Sequence, residues 1–257
     1  MQELSAEEER LVRWLREARR VLAFCGAGVS AESGVPTFRD AGGLWEGHRV
    51  EEVATPEAFA ADPRRVWRFY ALRLARLATV SPNPAHEVLA AMERHFEETL
   101  VVTQNVDDLH ERAGSRSLVK LHGSIRETRC TRCGTVSVPE EPVSEAVVAR
   151  GDLPRCGCGG LLRPNVVWFG EYLDPAHLQR IERFFQRTAG SETLVLVIGT
   201  SGLVSGGYGI PGIAYRSGAR SAEINPAASA LSDEVDLALR APAGELLGRI
   251  WPRVTGG

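Results

Sequence analysis

The stretch VLAFCGAGVSAESGVPTFRDAGGLW, residues 21–45, decides the fold. Val21 to Cys25 is a short apolar run stopped by glycine, which predicts a buried strand. Gly26, Gly28 and Ala31 then fit G-x-G-x-x-G/A, a turn whose backbone amides can approach a pyrophosphate at a helix start. Gly34 and Pro36 cut that helix short. Phe38, Arg39 and Asp40 follow, placing an aromatic, a cation and an acid just beyond the turn. An ordinary dinucleotide fold would continue into a second strand ending in an acid that grips the ribose. Here the chain passes through Gly42-Gly43 instead, which predicts a nucleotide handled by a loop.

Working outward, the same pattern of apolar run and polar stop recurs. Leu100 to Thr103 leads into Gln104-Asn105-Val106-Asp107, and Val119 to Leu121 leads into His122-Gly123. Leu194 to Ile198 ends at Gly199-Thr200-Ser201, and Ser221 to Ile224 ends at Asn225-Pro226. Helical patterns lie between, at Thr55-Pro56, from Asp62-Pro63 through Leu77, and from Ala85 to Phe96. Near the N-terminus Ser5 and Glu8 form a capping box ahead of an apolar face of Leu11, Val12, Trp14, Leu15 and Ala18. Strands alternating with helices and ending in polar turns indicate an α/β, doubly wound parallel sheet. Ligands of such sheets sit beyond the carboxyl ends of the strands.

At 257 residues the chain can bury one large core with a small insert. No apolar run spans a bilayer, and the acidic start is unlike a signal peptide. A formal charge of -3 gives no reason to expect nucleic acid or anionic membrane as a partner. Four of the five cysteines cluster as Cys130-x-x-Cys133 and, 22 residues on, Cys156-x-Cys158. Four thiolates suit one tetrahedral zinc with no open coordination position, hence a structural ion. Clustered cysteines also point to a reducing compartment, so a cytoplasmic location is expected. Free buried thiols are the alternative, disfavoured because this segment has little apolar content to fold around without a metal.

His122 ends a strand on the same edge as the 26–39 loop and the 104–107 turn, which suits a general base. The other histidines, His48, His86, His95, His110 and His177, match no constellation and read as structural. Asn105 and Asp107 either hydrogen-bond a ribose or carboxamide or make an Asx turn. Tyr70 and Arg73 are three apart on a helix and share a face. They offer a phenol and a planar fork for a carboxylate, or else a core tyrosine beside a solvated arginine. Val166 to Phe169 is an interior strand or an edge for an extended peptide.

GAGVSAESGVPTFR, TQNVDDLHERAG, LHG, the four cysteines, NVVWFGE, GTS and INP occur in the order seen in sirtuins, which the chain therefore resembles over nearly its whole length. Sirtuins are NAD-dependent protein-lysine deacylases. The resemblance implies a Rossmann-like domain from residues 1–45, 80–125 and 164–257. It also implies a small domain made of a helical insert, 46–79, and a zinc module, 126–163. NAD would meet Gly26, Ala27, Gly28 and Ser30 at its phosphates and ribose, and Phe38, Arg39 and Trp45 near its nicotinamide. Gln104, Asn105, Val106 and Asp107 would line the ribose and nicotinamide pocket, with His122 as the base. Gly199, Thr200, Ser201, Asn225 and Ala243 would hold the adenosine half. Val167, Trp168, Phe169 and Gly170 would pair with an acylated-lysine peptide. Tyr70-x-x-Arg73, with Ala54 and Thr37, resembles the class that removes succinyl, malonyl or glutaryl groups, with deacetylation expected as well. A mono-ADP-ribosyltransferase on the same cofactor site is the rival enzyme. The chain departs from the family at the tight Cys156-x-Cys158 pair. It departs again in the glycine-rich SGLVSGGYGIPG, residues 201–212, where relatives commonly show V-x-P-A.

Overall fold

The computed structural model describes residues 3–37, 44–45, 48–187, 190–204 and 208–256. In chain order the strands are β1 (Arg20–Cys25), β2 (Leu44–Trp45), β3 (His48–Arg49), β4 (Glu98–Thr103) and β5 (Leu118–Lys120). They continue with β6 (Gly123–Cys130), β7 (Val136–Ser137), β8 (Leu162–Val166), β9 (Thr193–Ile198), β10 (Arg220–Ile224) and β11 (Leu237–Leu239). The helices are α1 (Ala6–Glu17), α2 (Val50–Val53), α3 (Pro56–Ala61), α4 (Pro63–Leu77) and α5 (Pro84–His95). After them come α6 (Leu109–Arg112), α7 (Glu145–Arg150), α8 (Pro175–Gln186), α9 (Ile210–Arg216) and α10 (Ala243–Thr255).

Six strands form one parallel sheet in the order β11-β10-β9-β1-β4-β5. Every residue of β1 is buried because both of its faces are covered. Val21, Ala23 and Cys25 pack with α1, α5 and α10 through Leu11, Leu15, Leu89, Leu246 and Ile250. Leu22 and Phe24 pack with α8 and α9 through Ile181, Phe184 and Ala214. A strand buried on both sides has no polar face, so it reads as a continuous apolar run. The chain builds outward from β1 first on one side and then on the other. The strand order therefore reverses at β1, where a crevice opens. Cys25 is in register with both Thr103 and Ile198, so the polar turns that follow β1, β4 and β9 emerge side by side.

Local signals set the helix starts. Ser5 and Glu8 make the capping box of α1, and Thr55, Asp62 and Asn83 cap α3, α4 and α5 ahead of prolines at the first turn. The turn after β1 is a short 3-10 helix, Ala27–Ser33, closed by Gly34 at φ 85°. The helices α8, α9 and α10 and the strand β11 add to the elements expected from the sequence.

A second, antiparallel sheet, β7-β6-β8, carries the cysteine turns. Its buried side shares a third core with the helical insert, in which Phe59, Trp67, Phe69, Tyr70 and Leu74 meet Ile125, Val148, Val166 and Trp168. The NVVWFGE segment is not the interior strand that its composition allowed, because β8 ends at Val166. Beyond it the amides of Val167, Trp168 and Phe169 donate to His122 O (2.9 Å), Glu171 Oε2 (2.8 Å) and Ala54 O (3.0 Å). These donors are engaged within the chain, so they do not form a free donor edge.

Candidate active site and metal centre

Beyond the carboxyl edge of the parallel sheet lies a cavity of about 950 Å³, at the upper end of the small-ligand range. Its wall joins Ala27, Gly28 and Ser30 after β1, residues 104–107 after β4, His122 after β5, residues 199–201 after β9 and Asn225 after β10. Its far side is Ala54, Arg73 and residues 166–171 from the third core.

The glycine turn is built for close approach. A Cβ on Gly28 would lie 2.7 Å from Gly199 Cα, and one on Gly26 would lie 2.7 Å from Thr200 Cβ. The amides of Gly26 and Gly28 donate to Ile198 O (2.9 Å) and Gly199 O (2.7 Å). These two glycines thus lock β1 to β9, and Gly26 itself is off the cavity wall. Ser30, 0% exposed, is the hub of the polar floor. Its hydroxyl donates to Asp107 Oδ2 at 3.0 Å and accepts from Asn105 Nδ2 at 3.1 Å. Asp107 Oδ1 also accepts the Leu109 amide at 3.1 Å. One oxygen thus closes the Asx turn that the sequence allowed, while the other accepts the Ser30 hydroxyl. Burial raises its carboxyl pKa, opposed by the Leu109 amide and by Lys120.

His86 and His110, read from the sequence as structural, are buried beneath this floor and lie off the cavity wall. His86 Nε2 lies 3.4 Å from Ser30 Oγ, and its Nδ1 accepts the Asn83 amide at 3.2 Å. The His110 ring stands 4.8 Å from that of His86. Burial pushes the His86 pKa down to about 4 and that of His110 well below its ordinary value, so both are neutral near pH 7. His86 is the N3 residue of the α5 capping box, whereas no local pattern marks His110. Helix α5 and helix α6 meet only in the fold.

On the adenosine side expected from the sequence, Thr200 Oγ1 donates to Gln104 Oε1 (2.9 Å) and Asn225 Nδ2 donates to Thr200 O (2.9 Å). Three strand ends are thereby tied together. Ala243 opens α10 and is buried away from the cavity wall, and the adjacent amides of Gly244 and Glu245 are held by Glu32. His122 is on the wall, its Nε2 2.6 Å from Tyr208 Oη. Burial lowers its pKa, while hydrogen bonding with the Gln104 backbone opposes the shift. Phe38 and Arg39 lie outside the described residues, as does the side chain of Trp45.

Across the cavity, Ala54, Arg73, Val167, Trp168, Phe169 and Gly170 are on the wall. Tyr70 is not. It is 0% exposed, and its hydroxyl accepts from Trp168 Nε1 at 2.9 Å. Burial raises its pKa to about 12. The Trp168 ring is held on its other side by the Arg163 guanidinium, 3.5 Å from the centroid, which forks onto Glu171 at 2.6 and 2.7 Å. Tyr70 and Arg73 share a helix face, yet Arg73 reaches the cavity directly while Tyr70 reaches it through Trp168.

The four cysteine sulfurs lie within 4.8 Å of one another. Three of the pairs measure 3.5, 3.7 and 3.5 Å. Zn–S bonds of about 2.3 Å in a tetrahedron set sulfurs roughly 3.8 Å apart, so the set fits one zinc ion, and the tight Cys156-x-Cys158 pair does not prevent it. The amides of Arg132 and Cys133 point at Cys130 Sγ (3.3 and 3.5 Å), which favours a thiolate there. A Cβ on Gly160 would come within 2.6 Å of Cys130 Sγ, so this turn has room only for glycine.

Residues 26–206 match the Sir2 family model. A Pyrococcus abyssi protein named NAD-dependent protein deacylase is 46% identical over 93% of this chain and 95% of its own. NAD-dependent protein deacylase 1 of Pseudomonas aeruginosa is 45% identical over 96% and 99%. Among solved structures, a Sir2 homolog–NAD complex superposes with a TM-score of 0.88 at 42% identity, covering 100% of this chain and 97% of that one. A Sir2 bound to acetylated peptide gives 0.82 at 29% identity, over 96% and 98%. With the glycine turn, the strand-end cluster and the four-cysteine module in place, the chain belongs to the Sir2 family.

Proposed function

We propose that this protein is an NAD-dependent protein-lysine deacylase that removes succinyl, malonyl and acetyl groups. The products are free lysine, nicotinamide and 2'-O-acyl-ADP-ribose. One observation carries the reading. A single cavity joins His122 and the Ser30–Asn105–Asp107 cluster to a tryptophan-lined wall bearing Arg73. The names of the relatives support it.

In this reading Ala27, Gly28, Ser30, Gln104, Asn105, Thr200, Ser201 and Asn225 bind NAD, with Gly26 shaping the turn behind them. When bound, NAD supplies an anomeric carbon with a cationic leaving group, which the acyl oxygen of the lysine amide attacks. This chain therefore needs no activated side-chain nucleophile. His122, neutral because it is buried, withdraws a proton on the sugar side so that an oxygen there can take the acyl group. Trp168 and Phe169 cover the acyl-lysine and exclude water. Arg73 gives a carboxylate-ended acyl chain a planar fork, and Ala54 leaves it room. Tyr70 acts one step back, fixing the Trp168 ring. One structural zinc would be held by Cys130, Cys133, Cys156 and Cys158. Residues 46–79 and 126–163 together form a small domain on the larger NAD-binding one, a division supported by their shared apolar core.

Mass spectrometry of one peptide carrying acetyl-, succinyl- or malonyl-lysine, incubated with NAD, tests this. Acyl-ADP-ribose is expected from all three. ADP-ribose attached to protein, without acyl-ADP-ribose, would overturn it in favour of ADP-ribosyl transfer.

A further inference from the structure

Tyr208 belongs to the glycine-rich stretch of residues 201–212. Among the described residues it is the one non-glycine with a left-handed backbone, φ 57°. Residues bearing a Cβ rarely adopt that conformation, and where they do the surroundings hold them in it. Here the ring packs against the core under the sheet, edge-on to Phe24 at 6.4 Å and 88°. Its hydroxyl emerges on the cavity wall 2.6 Å from His122 Nε2, the two rings 6.0 Å apart at 62°. A neutral imidazole has one acceptor nitrogen, and a phenol that donates to Nε2 leaves the proton on Nδ1. Hydrogen bonding of the ring with the Gln104 backbone favours the imidazole N–H there, so Nε2 can accept from the phenol and its basic lone pair faces Tyr208 Oη.

We propose that Tyr208 is a proton relay between the substrate sugar and His122. As the sugar O–H bond breaks, its proton passes to Tyr208 Oη while the phenol proton passes to His122 Nε2. Tyr208 ends unchanged, His122 ends protonated, and the sugar oxygen is free to take the acyl group. The phenol never needs to ionise fully, because one proton arrives as the other leaves. This rests on the deacylase reading above and adds one residue to it.

The test is Tyr208→Phe, which keeps the ring in the core and removes only the hydroxyl. Departure of nicotinamide precedes the proton transfer, so exchange of labelled nicotinamide into NAD should persist. Deacylation kcat should fall by about 10²-fold, the lower end of general acid–base assistance, with the KM for NAD little changed. The solvent deuterium isotope effect on wild-type deacylation should show two protons in flight, and on the variant only one. Wild-type kcat in the variant would overturn the relay, and so would a faster variant, which would make Tyr208 a plug over the base. A readout independent of turnover is the 15N shift of His122 Nε2 in the free protein. It should move in Tyr208→Phe, and an unmoved resonance would also sink the proposal. A wild type that makes no acyl-ADP-ribose, with the shift present, would instead defeat the deacylase reading alone.

Discussion

The two walls of the cavity are made differently. On the sheet side, Ser30, Asn105, Asp107, Gln104, Thr200 and Asn225 bind one another before any ligand arrives. They stand at the ends of strands that cannot shift without breaking the sheet. On the opposite side the wall is largely apolar and comes from an insert and a segment after β8, with Arg73 and Arg76 as its cations and, behind it, Trp168 stacked on Arg163 and hydrogen-bonded to Tyr70. A polar floor that is satisfied in advance costs little reorganisation when charge develops, which is what a reaction centre needs. A largely apolar wall that carries guanidinium groups discriminates by size and terminal charge, which is what selectivity needs. In the proposed reading, the reaction rests on the strand ends and the choice of acyl group on the opposite wall.

That division can be broken by substitution. The largest effect is expected on the sheet side. His122→Ala should lower deacylation by about 10²–10⁴-fold for every acyl group alike, with the circular dichroism and Tm retained. Near-normal turnover, or a loss confined to one acyl group, would place His122 outside the common chemistry. Because burial depresses its pKa, the wild-type rate should hold as pH falls to 6.5 and decline only below it.

A second prediction concerns the neutral histidines under the floor. His86 titrates near 6.5 in an unfolded chain and near 4 when folded. Above pH 6.5 both states are neutral and the full stability is present. As pH falls from 6.5 toward 4 the unfolded chain takes up the proton first, and stability drops by on the order of 3 kcal/mol from this group. Its C–H resonances should titrate below pH 5 in the native protein. A midpoint near 6.5 would show that the floor is wetter than its geometry.

On the insert side, Arg73→Met should cost kcat/KM on succinyl-lysine about 10–100-fold, the worth of charge-assisted hydrogen bonds. Deacetylation should change by less than about threefold. Equal losses on both substrates would erase the contrast between the walls. The smallest effect should come from Trp168→Phe, which keeps a ring in the wall but removes the indole N–H that donates to the buried Tyr70 hydroxyl. About 1–3 kcal/mol of stability should be lost, read as a lower denaturant midpoint. Tyr70→Phe combined with it should restore part of that loss, and no recovery would mean that the bond carries no energy.

How much was legible in the chain differs between the walls for the same reason. The sheet side announces itself, because a strand covered on both faces must be apolar throughout and its polar stop marks the edge where a ligand lies. Cys130 to Cys158 are equally plain, since metal geometry restricts both residue type and spacing. His86 and His110 were not legible. They sit on helices remote in sequence from Ser30, and a histidine on an amphipathic helix looks the same whether or not a serine hydroxyl lies above it. The Val166–Gly170 segment read as an interior strand or a peptide edge, and its place as a loop on the cavity wall was not legible, because the amides of 167–169 find His122, Glu171 and Ala54 rather than a neighbouring strand.

Tyr70 and Arg73 show the same boundary within one helical turn. Their spacing alone determined that they share a face of α4. Only the tertiary structure decided that Arg73 opens into the cavity while Tyr70 is buried behind Trp168. For this protein the sequence by itself determined the strand ends, the glycine turn and the four thiolates, because covalent reach and backbone conformation are local. The hydrogen bonds that join Ser30 to His86, Gln104 to Thr200 and Tyr208 to His122 were decided by packing. They link side chains far apart in the chain, and the closing of the sheet around β1 and its helices brings them within bonding distance.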